Sequence, residues 1–138
     1  MNRFVVPDTN FLFAIYNEGR FLADYSEIVR SHIVRYSAVV LQEFARGAHD
    51  KTSKKIAREL LDLSVGKVVT PTERHWAVCG EVSQKLLKGR KKTREEVGLL
   101  QNDILIALSV REVGGSLLTQ DSDFSVIQRH VAFYCVQF

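Results

Sequence analysis

Phe4-Val5-Val6-Pro7-Asp8-Thr9-Asn10-Phe11-Leu12-Phe13-Ala14-Ile15-Tyr16 is the stretch on which the fold is decided. Phe4-Val5-Val6 is a short apolar run stopped by Pro7-Asp8. It reads as a strand buried on both faces, because it shows no polar alternation. Pro has no N–H to give to a neighbouring strand, so pairing is expected to end at Pro7. Thr9 to Tyr16 then reads as a helix that starts just after Asp8. A fully buried strand followed directly by a helix is the unit of a parallel sheet with helices packed on it.

The rest of the chain repeats that unit. Residues 23–31 read as a helix and Ile33 to Tyr36 as a strand. Ser37 is placed to cap a helix running to Arg46, which Gly47 ends. Lys51 to Leu63 carries apolar residues at 56, 57, 60, 61 and 63, a helical stripe, with Lys54, Lys55, Arg58 and Glu59 facing water. Residues 67–70 form a strand, and Pro71-Thr72 opens a helix to about Leu87 with Trp76, Cys79, Val82, Ser83 and Leu86 on its stripe. A helix from about Arg94 to Val113 ends at Gly114-Gly115. Strand 116–119, a helix over 124–129 and strand 131–136 complete the chain. Short apolar strands alternating with helices predict an α/β fold whose parallel sheet is covered on both faces. At 138 residues, with no internal repeat and no long linker, the chain is expected to be one domain, residues 1–138.

Composition excludes several classes. Hydrophobic residues at 46% and charged residues at 25% are those of a globular chain that buries a core, which argues against disorder. Two cysteines, Cys79 and Cys135, are too few for a disulfide scaffold or a cysteine zinc site, and read as free thiols. The histidines, at 32, 49, 75 and 130, lack the spacings of zinc ligands. The apolar run Phe11–Tyr16 is far shorter than the ~20 residues of a membrane span and has no basic segment before it. A cytoplasmic chain that does not engage a membrane is expected. No glycine-rich phosphate loop and no nucleophile elbow is present.

Charge is unevenly spread. The net charge is +3, from 19 basic and 16 acidic residues. Six of the basic residues, Lys85, Lys88, Arg90, Lys91, Lys92 and Arg94, fall within residues 85–94, where there is no acid. Without them the balance is 13 to 16, or −3. The protein is thus a mildly acidic body with one basic segment, suited to contact nucleic-acid phosphates.

In parallel α/β folds, ligands bind beyond the carboxyl ends of the strands. Asp8 follows the first strand, Asp121 and Asp123 follow strand 116–119, and Glu43 lies in the helix after strand 33–36. Asp103 heads the run Ile104-Leu105-Ile106-Ala107-Leu108-Ser109-Val110, which is apolar nearly all round and therefore buried. Each acid also has a structural explanation. Asp8 can cap the helix at Thr9, and Asp103 and Asn102 can sit favourably at a helix N-terminus. Glu43 can be solvated, and Asp121 and Asp123 can close an Asx turn or cap a helix. Taken together they suggest a site. Carboxylates 4 Å apart repel by about 4 kcal/mol per pair at an effective dielectric near 20. Such a cluster needs protons or a cation, and an oxygen-only ligand set suits Mg²⁺ or Mn²⁺. The chemistry that follows is phosphodiester hydrolysis by a metal-activated water.

Four segments carry a resemblance: Asp8-Thr9-Asn10-Phe11-Leu12; Ser37-Ala38-Val39-Val40-Leu41-Gln42-Glu43-Phe44 closed by Gly47; Asn102-Asp103-Ile104-Leu105-Ile106-Ala107; and Leu118-Thr119-Gln120-Asp121-Ser122-Asp123-Phe124. In this order and spacing the chain resembles a PIN-domain nuclease, and most closely a VapC-type toxin ribonuclease of a toxin–antitoxin pair. The resemblance implies a three-layer α/β/α domain with a mostly parallel central sheet. It implies a Mg²⁺- or Mn²⁺-dependent endoribonuclease with Asp8, Glu43, Asp103 and Asp121 as the acidic quartet and Asp123 as an auxiliary ligand. Asn10 and Thr119 match polar positions that orient the acids or the bound water. A homodimer, a VapB-like antitoxin and products with a 5′-phosphate are also implied. The six basic residues of 85–94 are expected to border this site and hold RNA. Two other readings compete: a nuclease of the same fold acting in RNA maturation or on DNA, and a non-catalytic RNA-binding module.

Overall fold

The computed structural model describes residues 1–138. Six strands and seven helices follow in the order β1 (Phe4–Pro7), α1 (Thr9–Tyr16), α2 (Leu22–Ser31), β2 (Ile33–Val34), β3 (Tyr36–Ser37), α3 (Ala38–Arg46), α4 (Lys51–Leu63), β4 (Val68–Val69), α5 (Glu73–Leu87), α6 (Arg94–Glu112), β5 (Ser116–Thr119), α7 (Phe124–Ile127) and β6 (Tyr134–Gln137). All strand pairs are parallel. The main sheet has the order β2-β1-β5-β6, and β3 pairs with β4 beside it.

The strands separate two apolar layers by simple alternation. Val6 of β1 and Leu117 of β5 join the larger core, with Val40 and Phe44 of α3 and the run Ile104–Leu108 of α6. Val5 and Leu118 face the other way, against Phe11 and Ile15 of α1 and Tyr25 and Ile28 of α2. The result is the three-layer α/β/α arrangement, with the sheet buried between helices on both faces.

Several expectations require correction. Pairing does not stop at Pro7, which faces Leu118 in register, and the Asp8 N–H donates to the Leu118 carbonyl at 2.8 Å. Alternation turns the missing Pro7 N–H toward the side where β2 has already ended, so no ladder bond is lost. The expected strand 33–36 is an extended segment running to Ser37 that splits its pairing. Its first half bonds to β1, the Arg35 N–H donates to Val5, and Tyr36–Ser37 pairs with β4. The last strand begins at Tyr134 rather than 131, and Val131 is instead buried in the larger core. The helix expected over 124–129 stops at Ile127. On α4 the apolar stripe is buried only in part, since Leu61 and Leu63 are exposed, as is Trp76 on α5. Gly47 does end α3, but with φ −79 rather than a left-handed cap. Its role is spatial, because a Cβ there would stand 2.6 Å from the Phe13 ring.

His75 is buried for local reasons. Its Nδ1 accepts the Thr72 N–H while Thr72 Oγ1 accepts the His75 N–H, closing a capping box at the start of α5. No helix is long and apolar enough to cross a membrane.

Candidate active site

Parallel pairing sends β1, β3 and β5 out at the same edge of the sheet. Each acid is delivered there by its own element. Asp8 extends β1 by one residue and is 4% exposed. Although it stands at the head of α1, its side chain makes no cap hydrogen bond. Oδ2 instead accepts the Thr119 hydroxyl at 2.9 Å, across from the end of β5. Thr119 Oγ1 also accepts the Asp121 N–H at 2.9 Å. One buried hydroxyl therefore ties the acid after β1 to the turn after β5.

Glu43 projects from α3, whose start is fixed by Ser37 Oγ accepting the Val39 and Val40 N–H groups. Its Oε1 accepts the Thr9 hydroxyl at 2.8 Å, and its Oε2 accepts the Asn102 amide at 3.3 Å with Arg46 Nη2 at 4.0 Å. It is a held carboxylate, not a solvated one. Asp121 does close the Asx turn, its Oδ1 accepting the Asp123 N–H at 2.8 Å. Asp123 is exposed and caps nothing by its side chain.

Asp103 does not sit at a helix N-terminus. Thr93 caps α6, and Asp103 lies midway along it, where neither capping nor the helix dipole explains a carboxylate. The residues after it, Ile104 to Val110, are all buried. The side chain meets the other acids instead. Asp8, Glu43, Asp103, Asp121 and Asp123 line one open cavity of about 600 Å³, together with Thr9, Asn10, Arg46 and His49.

The electrostatics follow from that crowding. Burial pushes the Asp103 carboxyl up to about 8, and the charges of Asp8, Glu43, Asp121 and Asp123 push the same way. Asp8 is raised to about 6, again chiefly by burial; the Thr119 hydroxyl pulls it back, while Glu43 and Asp121 raise it. The field reaches β6, where burial and then Asp8 and Asp121 raise the Cys135 thiol to about 11. Cys79 and Cys135 are both free thiols.

Asn10 lines the cavity, but only its backbone carbonyl is bonded, to the Gln120 amide at 3.1 Å. Of the basic segment, Arg90 and Lys92 line a neighbouring groove that shares Leu99, Asp103 and Asp123 with the acidic cavity. Lys85, Lys88, Lys91 and Arg94 are exposed and line neither. Lys92 is also 3.5 Å from Glu96. Sequence reasoning passed over Thr9 and Asn102 as site residues. Their signal was adjacency: each is next to an acid of the cavity and donates to a third, Glu43.

The donor set is all oxygen, which suits a hard divalent cation. The acids line the cavity wall without three of them closing into a ready-made metal cage. Carboxylates raised by burial and by one another's charge are what an incoming cation relieves, so the residues fit such an ion.

The fold is that of a three-layer α/β domain with a parallel sheet and an acidic cavity at one sheet edge, and the chain belongs to the PIN domain family, whose profile matches residues 5–130. Among solved structures it is similar to a chain of the VapBC2 complex of Rickettsia felis bound to promoter DNA, with a TM-score of 0.67 and 17% identity over 98% of each chain. VapBC-5 of Mycobacterium tuberculosis gives 0.63 at 15% identity, over 99% of this chain and 100% of that one. DNA-bound VapBC of Salmonella typhimurium gives 0.63 at 18%, over 99% and 98%. At these identities the similarity is one of fold. No curated protein matches the chain by sequence.

Proposed function

We propose that this chain is a metal-dependent endoribonuclease, the toxin component of a type II toxin–antitoxin pair, with residues 1–138 as a single catalytic domain. The observation that carries the reading is Asp103. It is an acid midway along α6, at the head of seven buried residues, raised to about 8 by burial and by four neighbouring carboxylates in one cavity. A fold gains nothing by that placement unless the charge is used. The VapBC folds to which the chain is similar, and the family to which it belongs, support the toxin assignment.

In this reading Asp8, Glu43, Asp103 and Asp121 hold Mg²⁺, with Mn²⁺ an alternative and Asp123 an auxiliary ligand. When bound, the ion supplies a water of lowered pKa and neutralises charge building on the phosphate. The chain's own residues do the positioning. Thr119 orients Asp8 through its hydroxyl and holds the turn that presents Asp121. Thr9 and Asn102 fix the two oxygens of Glu43. Asn10 stands at the cavity rim to orient the water or the scissile phosphate. Water oxygen bonds to phosphorus as the bond to the 3′ oxygen breaks, leaving a 5′-phosphate and a 3′-hydroxyl. Lys85, Lys88, Arg90, Lys91, Lys92 and Arg94 attract the RNA backbone toward an otherwise repellent acidic cleft. A VapB-like antitoxin and a second copy of the chain are the proposed partners.

The test is RNA cleavage by the pure chain with Mg²⁺ or Mn²⁺, with EDTA, and after Asp8→Asn or Asp103→Asn. Cleavage that needs the ion and is lost in both variants supports the reading. Cleavage that survives chelation and both substitutions overturns it.

A further inference from the structure

The basic segment 85–94 is not the chain's only concentration of positive charge. Lys51, Lys54, Lys55 and Arg58 stand at i, i+3, i+4 and i+7 of α4, so they share one face. All four are exposed. With Thr52 they line a shallow basin of about 620 Å³ that contains no apolar residue. None is ion-paired: the salt bridges of the molecule involve Arg20, Arg46, His75 and Lys92. The four cations do not support one another on the helix. Like charges at these spacings repel, and cations in the first turns face the positive end of the helix dipole.

The position of the stripe is informative. Arg46, Gly47 and His49 form the α3–α4 wall of the acidic cavity. Lys51 follows His49 by two residues, and the cations continue along α4 for about 10 Å. The opposite wall, through Leu99, Asp103 and Asp123, leads to Arg90 and Lys92. The acidic cavity is therefore flanked by cations on both sides.

We propose, resting on the nuclease reading above, that the Lys51–Lys54–Lys55–Arg58 face of α4 is a second phosphate-binding surface. It holds the substrate's RNA backbone on the α3–α4 side of the cleft, while the α5–α6 loop holds it on the other. The cleavable bond is thereby drawn across carboxylates that would repel a phosphate offered from one side alone. Four unpaired cations and Thr52 line the basin, and that concentration of charge complements a phosphate backbone.

The test uses Lys54→Ala with Lys55→Ala. Alanine is the best helix former, so α4 is retained. Binding of a fluorescent oligouridylate is followed across a salt series with Mg²⁺, in an Asp103→Asn background that blocks cleavage. Each single-strand phosphate contact contributes about 0.7 to the slope of log affinity against log salt, so losing two makes it roughly 1.4 shallower. Arg111→Ala with Arg129→Ala removes the same charge from outside both flanks and is expected to leave the slope unmoved. A chain that cleaves RNA but whose slope ignores the Lys54/Lys55 pair overturns this proposal alone. So does a slope that falls equally with the Arg111/Arg129 pair, or a Lys54/Lys55 loss seen only with an acidic protein partner. A parent chain that neither binds nor cleaves RNA overturns the nuclease reading and this proposal together.

Discussion

Replacing Asp103 by Asn is expected to make the metal-free protein more stable while removing its activity. The ordinary carboxyl value of 3.8 applies in the unfolded chain, and burial with four acidic neighbours raises it to about 8 in the folded one. Below about pH 4 both states are protonated and Asp103 contributes nothing to the difference. As pH rises toward 8 the unfolded chain releases this proton and the folded chain keeps it, so stability falls through that window. At pH 7, about three pH units above the ordinary value and at about 1.4 kcal/mol each, the native state forgoes about 4 kcal/mol. Asn carries no charge, but its buried amide needs partners, so a net gain of about 2–3 kcal/mol is expected. Urea denaturation in EDTA at pH 5 and pH 7.5 measures it. The advantage of the variant should grow with pH by at least ~1 kcal/mol between those points. Saturating Mg²⁺ should then stabilise the parent, by about 2.7 kcal/mol at a hundredfold excess over its dissociation constant, and the variant much less. An advantage that is equal at both pH values, or absent, refutes the argument that Asp103 is held by repulsion and burial.

Thr119→Val keeps the shape of a fully buried side chain but removes the hydroxyl shared by Asp8 and the Asp121 N–H. It should lower stability by about 2–3 kcal/mol, by urea titration at pH 7.5, and sharply lower the rate of RNA cleavage. Gly47→Ala places a Cβ 2.6 Å from the Phe13 ring, which is itself stacked on Phe44. A loss of about 1–3 kcal/mol in thermal or urea unfolding is expected, with a protein of unaltered stability refuting the close approach. Lys91→Ala with Lys92→Ala should weaken RNA binding and flatten its salt dependence, and an unchanged slope counts against the loop's role.

The fold was legible where local chemistry and tertiary need agreed. Val5 and Val6 read as a strand buried on both faces because both faces are in fact covered. Ser37 caps α3 through an oxygen that any sequence reading can place. What failed did so for tertiary reasons. Pro7 stays in its strand because the neighbour on its N–H side ends first, a fact of register that no local rule contains. Leu61, Leu63 and Trp76 fit helical stripes, yet nothing in the chain comes to cover them. At the site, individual acids were ambiguous, since capping and turn roles are equally short-range. The structure separates them by partner. Asp8 caps nothing and takes the Thr119 hydroxyl, while Asp121 closes its turn as well as facing the cavity. Thr9 and Asn102 stayed hidden because their partner, Glu43, is 34 and 59 residues away.

Whether the cation is needed to fold the chain or only to make it act follows from how the acids are supported. Asp103 is continuous with a helix whose next seven residues are buried, and Asp8 with a strand whose Val5 and Val6 are fully so. Each large apolar side chain buried there contributes about 1.5–3 kcal/mol. Several such residues flank each acid, which outweighs the about 4 kcal/mol lost at Asp103, and a proton can relieve Asp103 further. The acids are thus carried by a core that does not depend on them, unlike a zinc finger, whose ligands are its core. The chain should therefore stay folded in EDTA at pH 7, with a cooperative urea transition and a native far-ultraviolet circular dichroism spectrum, while its RNA cleavage stops. Loss of the cooperative transition on chelation would mean that the core cannot hold these carboxylates together unaided.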